Sequence, residues 1–427
     1  MYFLYTFLLC SILPLAFPLF YFFSKRGNIR GTLKDRFGFV SFPEISSERK
    51  KIWIHAASVG EVRTAMGLIH GILQTPDVQP AIFISVITKT GYEIARGEES
   101  LAHVFYLPVD IPFIIRKVLK SFKPDILIVF ETELWPNLFK IVRKSGSKLM
   151  IANARISQNS LKGYRNFKFF MKQVLENCDR ICVQNEIYQN RYLEIGAQKH
   201  QLKICGDIKD QQSLKLAEEF RNFEVNQVVS LQNKIVLAAV STHPGEENLI
   251  CDAFLKLQNK IKNLFLIIAP RHIHRKDEIA QVFNKYKISF VRRSEKKVIY
   301  SDREDAILWD TFGELGIVYK IASVVFVGGS LVPVGGHSLM EPAAFGKPVI
   351  WGPHVYNFTQ ASAKLLDFKG GIRVADLNEF LTVISNLLKQ EKHRDVIGKN
   401  AKACVEQSVG AVERHLECIN SLYSLNN

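Results

Sequence analysis

From residue 51 to residue 351 the sequence alternates between short apolar runs and amphipathic stretches. The apolar runs are rich in β-branched and aromatic residues, which favour buried strands. In the first half they cover 52–56, 81–87, 104–107, 126–130, 149–152 and 181–183, and in the second half 235–240, 264–269, 288–291, 306–309, 324–327 and 349–351. This alternation predicts α/β structure with parallel sheets covered by helices on both faces.

Two domains are expected, because 427 residues exceed what one hydrophobic core usually holds. The apolar periodicity weakens after about residue 206 and resumes near residue 231. We therefore divide the chain into an N-terminal membrane anchor (1–24), a first Rossmann-like domain (25–206), a linker (207–230) and a second Rossmann-like domain (231–427). The two doubly wound domains are expected to face each other across a cleft.

Residues 2–23 carry no charged side chain, and that length can span a bilayer as a helix, bent at its prolines. A cleaved signal peptide would have positive residues before the apolar run. Here they follow it, beginning with Lys25 and Arg26. The positive-inside rule then predicts a single anchor with the body of the chain in the cytoplasm. A helix that lies in one leaflet is the alternative.

The composition bounds the kind of partner. A net charge of +15 suits nucleic acid, anionic lipid or a phosphorylated substrate. RNA binding would need aromatic residues on an exposed sheet, which a helix-covered parallel sheet does not offer, so we expect no nucleic acid. The cysteines are odd in number, and Cys178 and Cys182 lack the CxxC spacing of zinc sites. Reduced thiols, no metal and no cofactor are therefore expected.

Acidic residues follow two strands of the first half. In HAASVGE (55–61), small residues leave room for a ligand, and Ser58 is a good N-cap for the helix that begins near Glu61. An acid in a first turn usually serves the helix dipole, and spacing alone favours that interpretation. In ETELWPN (131–137), Glu131 and Glu133 lie at a strand end, where open α/β sheets bind ligands. At most one of them is expected to face a ligand, and the other is expected to place its charge at a helix N-terminus.

A basic and aromatic stretch, LKGYRNFKFFMKQ, covers residues 161–173. On one continuous helix, Lys162, Arg165, Lys168 and Lys172 would fall on or near one face. Such residues usually form a solvated face. Mixed with aromatic residues in an anchored chain, they favour a surface for anionic lipid.

The richest stretch of the second half is SVVFVGGSLVPVGGHSLMEPAAFGKPVIWGPHVYNF (323–358). Glycines after a strand let backbone N–H groups approach a ligand, and a following helix N-terminus favours an anion. Glu341 lies early in the next predicted helix, where it could accept hydrogen bonds from a ribose diol. Tight turning explains each glycine alone, but two such turns around His337 and Glu341 favour a nucleotide site.

Two further stretches of the second half suit an anion. In AAVSTHPGEE (238–247), Thr242, His243 and Gly245 could offer hydroxyl, imidazole and backbone donors to a phosphate or carboxylate. An ordinary N-cap, with Glu246 and Glu247 as first-turn acids, is the alternative there. Arg271 follows the next strand, and a guanidinium suits bidentate contact with phosphate.

These motifs resemble those of the Kdo transferases, glycosyltransferases of the GT-B type that move the acidic sugar Kdo from CMP-Kdo onto the lipid A precursor of Gram-negative bacteria. The resemblance is carried by HAASVGE, ETELWPN, STHPGEE, GGSLVP, GGHSLMEPAAFGKP and WGPHVYNF and spans roughly residues 35–360. It implies Glu61 as the base that removes a proton from the acceptor hydroxyl and Glu131 as an acid beside the acceptor.

The resemblance also implies two sets of binding residues. For CMP-Kdo they are Lys209, Ser241, Thr242, His243, Arg271, Gly313, Glu314, Gly329, Ser330, Gly336, His337, Ser338 and Glu341. For the acceptor they are Ser58, Gly60 and Arg155. Because lipid A precursors carry phosphates, the basic residues Lys162, Arg165 and Lys168 are expected to position the acceptor as well. The family usually has Asn where this chain has Asp207 and Ser338; serine still donates a hydrogen bond, so a retuned site is expected.

The expected activity is transfer of one or more Kdo residues to a lipid A precursor at the cytoplasmic face of the bacterial inner membrane. Inversion by direct displacement without a metal is expected, because the single phosphate of CMP can be stabilised by helix N-termini and Arg271. One alternative is another GT-B enzyme that uses a UDP-sugar, such as an epimerase. The other is a non-catalytic tether that binds anionic lipid.

Overall fold

The computed structural model describes residues 1–23, 32–46, 48–75, 79–97, 102–231, 233–300 and 304–424. The chain forms two compact units. The first comprises Met1–Lys209 and Gly410–Asn427, and the second comprises Asp210–Val409. Each contains a seven-stranded parallel sheet with helices on both faces, so the predicted pair of Rossmann-like α/β domains is confirmed.

The first unit is wound in both directions from its central strand. Its strands are β1 (Lys51–His55), β2 (Ala81–Val86), β3 (His103–Tyr106), β4 (Ile126–Phe130), β5 (Lys148–Ala154), β6 (Arg180–Val183) and β7 (Leu202–Ile204). Its helices begin with α1 (Tyr2–Phe23), α2 (Leu33–Arg36), α3 (Val59–Leu73), α4 (Lys89–Arg96), α5 (Pro112–Ser121), α6 (Pro136–Lys144), α7 (Gln158–Asn166), α8 (Lys168–Leu175) and α9 (Glu186–Glu194).

The strand order of this sheet is β3-β2-β1-β4-β5-β6-β7, so the winding direction reverses between β1 and β4. These two strands pair in parallel, with Ile52 opposite Ile126 and His55 opposite Val129. Ligands of open α/β sheets bind beyond the carboxyl ends of the strands at such a reversal. The motifs HAASVGE and ETELWPN both start there.

The core of the first unit follows from alternation along β1. Trp53 packs on one face of the sheet, and Ile52 and Ile54 pack on the other. The indole N–H of Trp53 donates to Ser85 Oγ at 2.8 Å, which satisfies its buried polar atom. Each fully buried isoleucine contributes roughly 1.5–3 kcal/mol of transfer free energy.

The second unit also contains a seven-stranded sheet, but its strands follow a different order. Its helices are α10 (Ile208–Glu219), which crosses the boundary, α11 (Glu246–Gln258), α12 (Lys276–Lys285), α13 (Leu315–Ile321), α14 (Met340–Ala344), α15 (Thr359–Asp367), α16 (Leu377–Lys389) and α17 (Glu391–Glu406). Its strands are β8 (Val229–Ser230), β9 (Ile235–Thr242), β10 (Leu264–Pro270), β11 (Phe290–Arg292), β12 (Ile299–Tyr300), β13 (Ala306–Leu308), β14 (Val324–Val327), β15 (Val349–Trp351) and β16 (Gly371–Arg373). The order β11-β13-β10-β9-β14-β15-β16 reverses between β9 and β14.

The end of the chain lies in the first unit. Helix α18 (Ala411–Ser424) buries Val412, Ile419 and Leu422 in the core cluster that contains Ile52 and Ile54. The sequence division, which assigned 231–427 to the second domain, did not separate this helix because its apolar face resembles that of α17. The segment 207–230, expected as a linker, contains α10 and the short strand β8, which pairs with β12.

The predicted continuous helix over 161–173 needs correction. At Phe167 the backbone leaves the helical region, with φ −118° and ψ 27°, and separates α7 from α8. Lys162 and Arg165 therefore belong to one helix, and Lys168 and Lys172 belong to the next.

Residues 2–23 form α1, as expected, and its first two turns contact the first unit. The Tyr2 hydroxyl donates to the Gln173 carbonyl at 3.1 Å, and the Tyr5 hydroxyl donates to Asp110 at 2.9 Å. Phe3 is 85% exposed on this helix. Within the described ranges, the structure contains no helix that is both long enough and apolar enough to cross a membrane. The basic residues at 25, 26 and 30 lie outside those ranges.

Candidate functional site

The turn after β1 positions Glu61 by three hydrogen bonds, one of them from the Ser58 hydroxyl to Oε1 at 3.4 Å. Ser58 caps α3 by accepting the Glu61 N–H at 3.4 Å, as its sequence position predicts. The backbone N–H of Ala57 donates to Glu61 Oε2 at 2.6 Å. Burial is the largest cause that raises the pKa of Glu61 to about 7, and the charge of Glu131 adds to it. This carboxyl therefore exchanges a proton close to neutral pH.

Glu131 follows β4 in a left-handed backbone conformation, with φ 58°. A non-glycine residue adopts that conformation at some cost in energy, which functional sites often contain. Its side chain is buried and forms an ion pair with the guanidinium of Arg155, whose Nε donates to Oε2 at 2.6 Å. Burial raises the pKa of Glu131, while Arg155 acts to lower it.

Glu133 lies two residues after Glu131, beyond the end of β4 at Phe130. Its Oε2 is 3.9 Å from Nε2 of the buried His55, which ends β1. The charge of Glu133 also raises the pKa of Glu61. Sequence reasoning expected the second acid of this motif to serve a helix N-terminus, but α6 starts at Pro136 with Trp135 as its N-cap. Glu133 instead lies beside His55, so the expected role at a helix N-terminus is corrected.

The other residues expected near the acceptor differ in how exposed they are and in which groups they contact. Gly60 has room, because an added Cβ would lie at an ordinary 3.9 Å from Ser58 Oγ. Arg155 is held against Glu131, and Lys209, expected at the donor, belongs to the first unit, where its charge acts on Glu131. Lys162 and Lys168 are exposed on α7 and α8, and Arg165 pairs with Glu194.

In the second unit, Glu246 organises the glycine turn after β14. Its carboxylate accepts the backbone N–H groups of Gly329 at 2.7 Å, Ser330 at 3.0 Å and Leu331 at 3.0 Å, and that of His243 at 3.0 Å. The expectation that these glycine-turn N–H groups contact a ligand is therefore wrong for residues 329–331. They bind Glu246, which sequence reasoning had regarded only as a first-turn acid.

The backbone around this turn is tightly packed. A Cβ at Gly328 would lie 2.6 Å from the Ser241 carbonyl oxygen, and Gly329 has a φ of 67°. Ser241, at the end of β9, also has a positive φ of 53°. Glycine at 328 is therefore required by the close approach of two strand ends, and at 329 by the turn itself.

Three imidazoles gather beyond this turn. Nε2 of His243 and Nε2 of His337 lie 2.8 Å apart, so an N–H of one donates to the lone pair of the other. Their rings stack at 5.0 Å, and His272 meets His243 edge-on at 5.6 Å. Burial lowers the pKa of His337 to about 4, and also lowers that of His243. Arg271, which contributes to both shifts, is exposed beside them.

The prediction that Thr242 presents its hydroxyl to a ligand needs correction. Thr242 is fully buried, and its hydroxyl donates to Glu247 at 2.9 Å. Glu247 in turn forms an ion pair with Arg275 at 2.8 Å. Thr242 therefore holds the loop in place. The groups that stay candidates for contact with an anion are His243 of this loop and the nearby His337 and Arg271.

The remaining donor candidates occupy neighbouring turns of the second unit. Ser330 is buried, and its hydroxyl accepts the Gly352 N–H at 2.9 Å. Gly336 donates its N–H to the Gly329 carbonyl at 2.7 Å, and Ser338 is half-buried. Glu341 accepts the Tyr319 hydroxyl at 3.1 Å, and Glu314, next to Gly313 with a φ of 80°, accepts from Arg293 at 2.9 Å.

Asn153 is a residue of the first unit that the sequence analysis did not single out. It is the penultimate residue of β5, with a φ of 51°, and its side-chain oxygen accepts the Ile208 N–H at 3.1 Å. The signal was an Asn directly after an apolar run, since Asn tolerates the left-handed region better than most residues.

Comparison with known proteins agrees with these motifs. Residues 31–212 match the family model of 3-deoxy-D-manno-octulosonic-acid transferase (kdotransferase). The chain is 33% identical over 429 residues to the 3-deoxy-D-manno-octulosonic acid transferase of Haemophilus influenzae, covering 99% of each chain. It is 30% identical to that of Rickettsia conorii, over 88% of this chain and 80% of the relative.

A solved structure shows the same fold at lower identity. The putative UDP-N-acetylglucosamine 2-epimerase from Listeria monocytogenes is 11% identical and superimposes with a TM-score of 0.58, covering 89% of this chain and 98% of that one. At that identity the likeness concerns the fold alone. The full-length identity to curated relatives shows more, and the chain belongs to the 3-deoxy-D-manno-octulosonic acid (Kdo) transferase family of glycosyltransferases.

Proposed function

We propose that this protein transfers Kdo from CMP-Kdo to a sugar hydroxyl of a lipid A precursor, with inversion at the anomeric carbon and without a metal. Family membership supports Kdo transfer in lipopolysaccharide biosynthesis. The observation that carries the proposed mechanism is Glu61, a carboxyl with a pKa of about 7 at the reversal point of the first sheet. A general base works best when its pKa lies near the operating pH.

In the proposed reaction, the acceptor hydroxyl oxygen attacks the anomeric carbon of Kdo. Its proton passes to the carboxylate of Glu61 as the new C–O bond forms. The bond between the anomeric carbon and the phosphate oxygen breaks, and CMP leaves with that electron pair. Attack from the face opposite the leaving group inverts the configuration. Glu131, held by Arg155 at 2.6 Å, is proposed to position the acceptor hydroxyl beside Glu61.

The second unit is proposed to bind CMP-Kdo. His243, His337 and Arg271 are the groups proposed to contact the phosphate, since Arg271 is exposed and the two imidazoles form a hydrogen-bonded pair. Charge that develops on the phosphate as CMP leaves would be stabilised by these donors without a metal. The first unit would then hold the acceptor and the second unit the donor.

A membrane attachment through the N-terminal segment is also proposed. Helix α1 docks on the first unit through Tyr2 and Tyr5, while Phe3 and Phe7, 85% and 59% exposed, point away from it. Lys162 and Lys168 are exposed on helices of the same unit. Apolar side chains beside basic ones favour an anionic bilayer surface. We place that surface at the cytoplasmic face of the inner membrane.

The test is a transfer assay with the detergent-solubilised protein, a lipid A precursor and freshly made CMP-Kdo. Mass spectrometry of the lipid should show increments of whole Kdo units, and their number counts the additions. Glu61→Gln should abolish the increments, whereas Glu93→Gln, an exposed acid on α4, should leave them unchanged.

An unchanged lipid with intact CMP-Kdo, from protein shown to be folded, would overturn the transferase proposal and favour a non-catalytic tether. Consumption of a UDP-sugar in place of CMP-Kdo would favour the alternative GT-B activity. Competition between CMP and UDP for the free protein separates these two outcomes.

A further inference from the structure

The first unit contains a buried cluster of three thiols and an imidazole. Cys182 lies in β6, Cys205 directly follows β7, and His415 and Cys418 lie on α18. All four side chains are at most 2% exposed. The ligand atoms of Cys182, Cys205 and His415 lie within 4.8 Å of one another. Cys418, three residues after His415 on α18, packs in the same core cluster as Cys182 and Cys205.

The imidazole of His415 is already oriented as a ligand requires. Its Nδ1 lies 2.7 Å from the Ala411 carbonyl, which accepts a hydrogen bond only if Nδ1 carries the proton. Nε2 then bears the lone pair, and it accepts the backbone N–H of Asn153 at 3.0 Å. A backbone carbonyl on the second ring nitrogen is the usual outer contact of a metal-bound histidine.

We propose that Cys182, Cys205, Cys418 and His415 form a structural site for one thiophilic divalent cation, with Zn²⁺ the best fit. Three thiolates and one imidazole are an established ligand set for structural zinc. With Zn–S bonds of about 2.3 Å, tetrahedral ligand atoms lie roughly 3.8 Å apart. The ligand atoms of Cys182, Cys205 and His415 would therefore approach one another by up to about 1 Å, and the Cys418 thiol would turn toward them. Nε2 of His415 would exchange the Asn153 N–H for the metal.

Charge near the cluster favours a site that carries net negative charge when loaded. Three thiolates and one divalent cation leave a single negative charge. The Arg414 Nε donates to the Cys205 carbonyl at 2.9 Å, so this cation lies beside the proposed site. Lys203, two residues before Cys205, is paired with Glu417 at 2.8 Å.

Buried cysteines often serve as small apolar side chains, and Cys178 of the same unit is an example of that role. The cluster differs because its four candidate ligands come together from β6, the end of β7 and α18. His415 and Cys418 are three residues apart on one face of α18. A metal there would attach α18 to β6 and to the end of β7.

The test uses the full-length protein, purified reduced and without chelator. We expect about one zinc per chain by elemental analysis, and a cobalt-loaded form with the thiolate-to-cobalt charge-transfer band of sulfur ligation. Cys205→Ser and Cys418→Ser should each weaken metal retention at least about tenfold, and Cys178→Ser, the matched buried control, should leave it unchanged.

Wild-type protein that remains folded and reduced but takes up neither zinc nor cobalt would overturn the proposal, even if the serine variants fail to fold. A disulfide among Cys182, Cys205 and Cys418 in protein isolated under reducing conditions would also overturn it. Cobalt bound equally well by Cys205→Ser would place the metal elsewhere. None of these outcomes depends on transferase activity.

Discussion

The backbone N–H of Ala57 donates to Glu61 Oε2 at 2.6 Å, yet the pKa of Glu61 is raised to about 7. The hydrogen bond favours the carboxylate, but burial and the negative charge of Glu131 act more strongly in the opposite direction. Glu61 is therefore held in position by one interaction and made a stronger base by others.

This pKa predicts the pH dependence of transfer. We expect kcat/KM to fall on the acid side with a single limb centred near pH 7, because protonated Glu61 cannot accept the acceptor proton. Glu61→Gln should lower kcat by about 10²- to 10⁴-fold and remove that limb from the residual rate. Initial rates between pH 5.5 and 8.5, with Glu93→Gln as the control, measure both. A limb that persists in Glu61→Gln would assign the base to another residue.

The raised pKa of Glu61 also predicts that Glu61→Gln, which lowers activity, increases the free energy of unfolding at alkaline pH. The folded pKa of about 7 exceeds the reference value of 4.5, so between these pH values the folded state binds more protons and stability falls as pH rises. Glu61→Gln removes this cost and should stabilise the first unit at pH 8 by up to about 3 kcal/mol, with little effect at pH 4.5. Thermal unfolding at the two pH values measures the difference. An equal effect at both would exclude titration of Glu61 as its cause.

The ion pair of Glu131 and Arg155 predicts an asymmetric mutational response. Arg155→Met leaves the buried carboxylate of Glu131 unpaired and should destabilise the protein by about 2–4 kcal/mol. The double variant with Glu131→Gln should recover part of that loss. Arg165→Met breaks an exposed, solvent-screened pair with Glu194 and should leave the stability nearly unchanged. Equal losses for Arg155→Met and Arg165→Met would show that Glu131 is not effectively buried.

The fold was predictable where it depends on continuous apolar runs. Each of the twelve runs contains a strand, because buried parallel strands need apolar side chains on both faces. The short strands β7 and β16 lie at sheet edges, where exposed positions interrupt the pattern, and both escaped prediction. The return of α18 to the first unit also escaped, since helix periodicity identifies an apolar face but not its partner.

The sequence predicted where the site residues lie in the sheet better than it predicted which groups they contact. Glu61 and Glu131 lie at the reversal point of their sheet, as strand-end motifs predict. The partners of Glu246 were hidden, because a carboxylate in a first turn and one that binds a distant turn have the same local sequence. The thiol cluster was hidden for a similar reason: its ligands are 23 to 236 residues apart in the chain, counted between Cys182, Cys205 and Cys418.

Glu246 predicts a link between turn geometry and donor affinity. Glu246→Ala leaves four backbone N–H groups without their acceptor, including those of Gly329 and Ser330, and should destabilise the second unit by about 3–5 kcal/mol. Glu246→Gln keeps one acceptor oxygen and should fold, with a KM for CMP-Kdo raised at least about tenfold. Asp252→Asn, an exposed acid on the same helix, is the control. An unchanged KM in Glu246→Gln would separate this turn from donor binding.

The paired imidazoles predict how the second unit responds to acid. The folded pKa of His337 is about 4 and its reference value is 6.5, so below pH 6.5 the unfolded state binds more protons and stability is lost as pH falls. Because His337 is only partly buried, solvent screening keeps the loss from pH 6.5 to 5 below about 2 kcal/mol. His337→Asn should therefore show a shallower loss of melting temperature over that range than the wild type, whereas His393→Asn, exposed on α17, should follow the wild type. Parallel curves of melting temperature against pH for the wild type and His337→Asn would mean that the His243–His337 pair accepts a proton without loss of stability. The lowered pKa of His337 would then be excluded.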